Sequence, residues 1–206
     1  MTSLERAPAS CPMKTMAGVM EGALAEYEKP ESRELARQVA IQAFEGIAHT
    51  PQGKRAKYPR IVEIVHFAKK MGYKKIGLAF CNELSAEAAI VANLLERQGF
   101  EVVSVRCKVG GVPKEHLGIL PEQKINGPEA REIMCNPIAQ ARILNEREVD
   151  LAVMMGLCVG HDTLFFRHCQ VPITVFAVKD RTNQHCPLSA INPVVIFSTE
   201  VDPEMR

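Results

Sequence analysis

At 206 residues with a hydrophobic fraction of 47%, the chain can bury one core of ordinary size and carry an extra segment. Twenty-five Lys and Arg nearly cancel 24 Asp and Glu, so no global field would draw nucleic acid or an anionic membrane surface. Trp is absent and aromatics make up 5%, which argues against a base-stacking platform, and no apolar stretch nears the ~20 residues of a membrane span.

Residues 1 to 14 are polar and loop-like and lack the apolar core of a secretory signal, so a cytoplasmic location is expected. From Thr15 to about His49 the spacing is helical: Met16, Val19, Met20 and Ala23, then a break at Pro30, then Leu35, Val39, Phe44 and Ile47. Thr50 to Arg55 reads as a turn with a solvated basic cluster. Pro59 opens another helix with Ile61, Ile64, Val65 and Ala68 as its apolar stripe and Gly72 as its stop.

Beyond Gly72 the pattern alternates. Lys75 to Phe80 reads as a strand, Ser85 to Gln98 as a helix, and Glu101 to Arg106 as a second strand. A long Gly- and Pro-containing insertion follows. Asn136-Pro137 opens a helix to about Arg147, with Asn as cap and Pro at the first position. Leu151 to Met155 is a short unbroken apolar run of the kind covered on both faces of a sheet. A short helix over Thr163 to His168, with Asp162 as its cap, and a strand over Ile173 to Val178 complete the alternation, with Val194 to Phe197 as a candidate last strand. This order predicts an α/β fold, a Rossmann-like, mostly parallel sheet of four to five strands with helices on both faces. N-terminal helices over residues 1–57 would precede a domain of residues 58–206, covering it or bringing a second copy of the chain as a homo-oligomer.

Seven cysteines, an odd number without any C-x-x-C, argue against a disulfide framework in a reducing compartment. They point to metal binding, catalysis or simple burial. A single Cys is most often core. Four of these share a topological position, however. Cys81, Cys107 and Cys158 each follow a strand, and Cys135 immediately precedes a helix start. In a parallel sheet such positions lie on one edge, where open α/β sheets keep their crevices. Helix N-termini favour thiolate, and thiolates without carboxylates suit zinc or an iron–sulfur cluster. Cys169 and Cys186 occupy no equivalent position.

His161 and Asp162 border the same turn, and His161 could be a ligand or a proton donor. Its place at a helix entrance is expected to lower its pKa. Lys179, Asp180 and Arg181 follow the fourth strand on the same edge, where they could bind an anion or form a surface ion pair, and Lys179 is a candidate proton carrier. His185 lies a few residues on. G-x-G-x-x-G and the P-loop pattern are both absent, so no dinucleotide or nucleotide motif is present.

Several stretches resemble the prokaryotic family known as domain of unknown function 1847, which is labelled metal-binding. They are Lys75 to Cys81, Val105 to Lys108, Cys135 to Ala141 with Leu144-Asn145, Gly156 to Asp162, and Val178 to Arg181. The resemblance covers about residues 58 to 188. Many members carry four cysteines near the N-terminus, whereas this chain has Cys11 alone there. A metal role therefore falls on Cys81, Cys107, Cys135 and Cys158.

The expected function is a cysteine-ligated metal centre, an iron–sulfur cluster or zinc, at the strand carboxyl ends, able to act as a redox or Lewis-acid enzyme on a small molecule. Two alternatives stand beside it. One is a non-catalytic protein stabilised by zinc, and the other a metal-free enzyme with a cysteine nucleophile and His161 as base.

Overall fold

The computed structural model describes residues 6–191. Its contacts divide the chain into one unit up to Met71 and a second from Gly72.

The first unit carries α1 (Pro12–Thr15), α2 (Ala17–Tyr27), α3 (Pro30–Glu45), a hairpin of β1 (Ile47–Thr50) and β2 (Gly53–Ala56), and α4 (Arg60–Lys70). Pro30 breaks the helical stretch as its missing N–H requires, by occupying the first turn of α3. The hairpin replaces the last turn of helix and the plain turn that the spacing suggests. Thr50 Oγ1 donates to the Gly53 carbonyl at 2.8 Å, and Gly53 takes a φ of 116°, which closes the two-residue loop. Every residue of β2 is exposed, so Lys54 and Arg55 are solvated. Helix α4 joins α3 through Lys70, which pairs with Glu45 at 2.5 Å and donates to Gln42 Oε1 at 2.5 Å. Helix α4 thus belongs to the first unit.

The second unit is a parallel sheet of β3 (Lys75–Phe80), β4 (Glu101–Arg106), β5 (Leu151–Met155) and β6 (Ile173–Ala177), in the order β4-β3-β5-β6. Between them run α5 (Ser85–Arg97), α6 (Pro137–Glu146) and α7 (His161–His168). The first crossover moves to one side of β3 and the later ones to the other, so right-handed connections place α5 on one face and α6 and α7 on the opposite one. Side-chain packing agrees: Ala141 and Leu144 of α6 and Phe165 of α7 cluster with Ala79, Val105, Ala152 and Met154. All five residues of β5 are buried, as the unbroken apolar run implied. The Leu, Val and Met side chains among them each contribute about 1.5–3 kcal/mol through burial.

The strand order reverses between β3 and β5, which makes their carboxyl ends the switch-point crevice of the sheet. A register shift between Met154 and Met155 against β6 lies at that same end. Helix α7 begins two residues earlier than expected, at His161, with Gly160 rather than Asp162 in the cap position. Gly160 takes a φ of 87°, which lets the chain turn into the helix one step sooner. The Asp162 carboxylate instead accepts from the N–H groups of Gly160 and Thr163, at 2.9 and 2.8 Å. The stretch Val194 to Phe197 lies outside the described residues. Among the described residues no helix is long and apolar enough to cross a membrane.

Candidate thiol site

Backbone hydrogen bonds carry the sheet ladder beyond the strand ends and fix the cysteine loops to one another. The Cys81 N–H donates to the Met155 carbonyl at 3.1 Å and the Cys107 N–H to the Phe80 carbonyl at 2.9 Å. The Cys107 carbonyl accepts from the Asn136 N–H at 2.7 Å, which draws Cys135 to the same place. Asn136 also caps α6, its Oδ1 accepting from the Ala139 N–H at 3.0 Å, with Pro137 next in the helix. Gly156 starts the β5 loop at a φ of 64°, and a Cβ there would stand 2.2 Å from Leu84 Cδ1, so the turn toward Cys158 demands glycine.

Cys81, Cys107, Cys135 and Cys158 all line one cavity of about 310 Å³, together with His161 and Arg181. Cys81 and Cys107 are buried and the other two half-buried. Cys107 stands between Cys135 and Cys81, and each of the two neighbours affects its proton. Its Sγ also accepts from the Asn82 N–H at 3.2 Å.

This row divides the protons unevenly. The Cys107 bond, backed by the Glu83 amide and then Lys179, lowers the Cys81 thiol to about 5. Cys135 is lowered to about 4 by Cys107 first and His161 second, with the Lys108 charge adding to them. Flanked by Cys135 and Cys81 and desolvated, Cys107 is pushed upward and keeps its proton. Burial also raises Cys158, against the opposing pull of Arg181, whose guanidinium lies 3.3 Å from its Sγ.

The site is rich in cations. Lys179 Nζ approaches Cys81 Sγ at 3.5 Å and pairs with Glu83, and its side chain is only 3% exposed. Burial opposes the charge on Lys179, but the Glu83 hydrogen bond and then Cys81 outweigh it and raise its pKa. Arg181 shares Glu83 at 3.6 Å. The His161 pKa is raised, not lowered as its helix-entrance position suggested, because the hydrogen bond to Cys135 outweighs burial.

Other candidates stand apart. Asp162 serves the turn of α7 and does not line the cavity. The Asp180 carboxylate accepts from Thr182 and Asn183 within its own turn, and the Asp180 N–H donates to His185 Nδ1 at 3.0 Å. Cys169 is half-buried beside Val171, and Cys186 is exposed. Glu83 and Gln140 escape sequence reading. Glu83 had only its place two residues after Cys81 as a signal, and Gln140 its place one helical turn after Asn136. Gln140 is fully buried, and its Nε2 donates to the carbonyls of Val105 at 2.7 Å and Phe80 at 3.2 Å.

Fold and site together define an α/β protein with a thiol cavity at the carboxyl edge of a parallel sheet. The chain belongs to the family described as "Protein of unknown function (DUF1847)", whose model matches residues 11–176. It is 45% identical over 166 residues, 81% of this chain and 79% of the relative, to an uncharacterized protein of Methanocaldococcus jannaschii. Among solved structures it is similar to Dph2 from Pyrococcus horikoshii with a 4Fe-4S cluster, at 19% identity and a TM-score of 0.30 over 48% of this chain. The match spans 23% of that protein's own length.

Proposed function

We propose that the chain holds a cysteine-ligated metal centre, with Cys81, Cys107, Cys135 and Cys158 as ligands, and that an iron–sulfur cluster suits the site better than zinc. The observation that carries this reading is the meeting of four thiols from four separate loops at one cavity of about 310 Å³. The donor chemistry fits a thiophilic group, because Cys81 and Cys135 are already poised as thiolates. Among the described residues no three His, Cys, Asp or Glu side chains are posed to hold a metal ion as they stand. Zinc would need its sulfurs closed at ~2.3 Å about one point, whereas a cluster accepts sulfurs set further apart.

When bound, such a centre would supply redox or Lewis-acid chemistry. The protein's own groups would do the rest. Lys179, Arg181 and Lys108 offset the negative charge of the thiolates, and Cys135 favours the protonated form of His161. A cytoplasmic, reducing setting belongs to the same proposal, since free thiols persist there.

The Cys135–His161 contact favours a second reading, a metal-free enzyme with Cys135 as nucleophile and His161 as its proton partner. Metal analysis and absorption spectroscopy of anaerobically purified protein separate the two. Iron and sulfide with a brown chromophore support the cluster. Colourless protein with stoichiometric zinc supports a zinc site, and metal-free protein with one rapidly alkylated thiol supports the nucleophile.

A further inference from the structure

Beside the thiol cavity lies a second cavity of about 540 Å³. The two share Asn82, Glu83, Lys108, Lys114 and Ile125, so one opens onto the other's wall. Its charged lining is Arg106, Lys108, Lys114 and Arg131 against Glu83 and Glu132. Both carboxylates are already engaged. Glu132, buried, pairs with Lys114 and accepts from the Asn126 N–H at 2.5 Å, and Glu83 is held by Lys179 and Arg181. Lys108 gives one donor to the Ile133 carbonyl, a neutral acceptor, at 2.5 Å. Among the described residues neither Arg106 nor Arg131 has an ion-pair partner. The cavity is thus left with an excess of positive charge on two forked guanidinium groups.

We infer that this cavity binds the anionic group of a small-molecule substrate, a phosphate or a carboxylate, on Arg106 and Arg131 while the rest of the molecule reaches the cysteines. Arginine suits this role because its planar fork meets either oxyanion in a bidentate manner. The two arginines come from different places, the last residue of β4 and the 108–134 insertion, so the insertion completes a pocket that the sheet alone would leave open. Orientation of the reactive end toward the cysteines rests on the metal-centre reading above, whereas the anion pocket does not.

The test is calorimetric titration of the full chain with inorganic phosphate and with succinate, at ionic strength matched with sodium chloride. Metal content and absorption spectrum are recorded on the same samples. Saturable binding of one probe is expected, weakened about tenfold by Arg106→Gln and again by Arg131→Gln, with metal content unchanged. Arg131→Lys keeps the charge and should still lose affinity, because the fork is gone. Arg142→Gln, outside both cavities, should bind as the wild type. Preference for phosphate or succinate identifies the group. Absence of saturable binding to either probe, or equal binding in the Arg106→Gln/Arg131→Gln variant shown to be folded, overturns the proposal. Metal-free protein that still binds anions removes the metal reading and leaves this pocket standing. Metal-bearing protein without anion binding removes the pocket alone.

Discussion

Gln140 and Val105 are joined by a 2.7 Å hydrogen bond from a fully buried side-chain amide to a strand carbonyl. The same nitrogen reaches the Phe80 carbonyl at 3.2 Å, so one residue of α6 holds the ends of both β3 and β4, just before Cys81 and Cys107. Its Oε1 is buried without a partner among the described residues, an arrangement that costs stability and is kept for position. Gln140→Leu removes the orphan oxygen and the clamp together. The expected result is a small net change in unfolding free energy, within about 1–2 kcal/mol, with a clear loss of metal retention or thiol reactivity. Unchanged site chemistry in a folded Gln140→Leu protein would reduce Gln140 to core packing.

Gly156 and Leu84 make a second such pair. A methyl group at Gly156 would sit 2.2 Å from Leu84 Cδ1 on a backbone with φ at 64°. Gly156→Ala is expected to destabilise by about 2–4 kcal/mol, the sum of overpacking and a left-handed backbone. Trimming the neighbour in Gly156→Ala/Leu84→Ala should recover the steric part and leave the backbone part. Urea unfolding of the three variants checks this, and additive losses would show that no clash is present.

Strand positions were legible because the buried Leu151–Met155 is written as an unbroken apolar run and the half-exposed edge strand Glu101–Arg106 keeps a valine-rich middle, and both, with Lys75–Phe80, match the structure residue for residue. The cysteine positions followed from them, since every βα loop of a parallel sheet leaves at one edge. The β1–β2 hairpin was not legible. Its strands have four residues each, and Gly53–Ala56 is exposed throughout, so it carries no alternation of burial. The raised pKa of His161 was hidden for a different reason. Cys135 lies 26 positions away in sequence, and contacts such as the Asn136 to Cys107 hydrogen bond bring it across. Arg106 and Arg131 could not be seen as a pair, because the insertion between them has no periodicity from which a path could be drawn.

Metal content should separate the cysteines by position. Cys135→Ser, and equally Cys81→Ser or Cys158→Ser, should reduce bound metal severely in protein that remains folded. Cys169→Ser and Cys186→Ser should leave it unchanged, because neither thiol lines the cavity. Inductively coupled plasma analysis after anaerobic purification gives the answer. Equal loss in all of these variants would mean general destabilisation and would end the ligand assignment.

Thiol reactivity of metal-free protein should persist into acid. A group whose pKa is depressed stays ionised as pH falls, until that pKa is reached. With Cys81 at about 5 and Cys135 at about 4, both should react with iodoacetamide near pH 6, where an ordinary thiol of ~8.5 is almost fully protonated. His161→Gln removes a hydrogen-bond partner of Cys135, so the Cys135 midpoint should rise and its rate near pH 6 should fall. Peptide mass spectrometry assigns the label. Equal labelling of Cys135 with and without His161 would show that the imidazole does not support the thiolate.

Lys179 offers the sharpest separation between charge and packing at the site. Its ammonium is 3.5 Å from Cys81 Sγ, its side chain is only 3% exposed, and Glu83 holds it from the other side. Lys179→Met keeps most of the apolar stem and removes the charge. Cys81 then loses an attraction that favours its thiolate, so its labelling midpoint should move upward, toward that of an ordinary thiol. Glu83 would be left facing Arg181 alone, an exposed pair worth little. Lys179→Arg should restore part of the effect, because a cation returns near the sulfur with a different shape. If the four thiols bind a negatively charged centre, Lys179→Met should also speed its loss to a chelator, and added salt should mimic the change only weakly because the ammonium is buried. A Lys179→Met protein with the wild-type Cys81 midpoint would place that thiolate under the control of Cys107 and the Glu83 amide, and would make Lys179 a structural partner of Glu83.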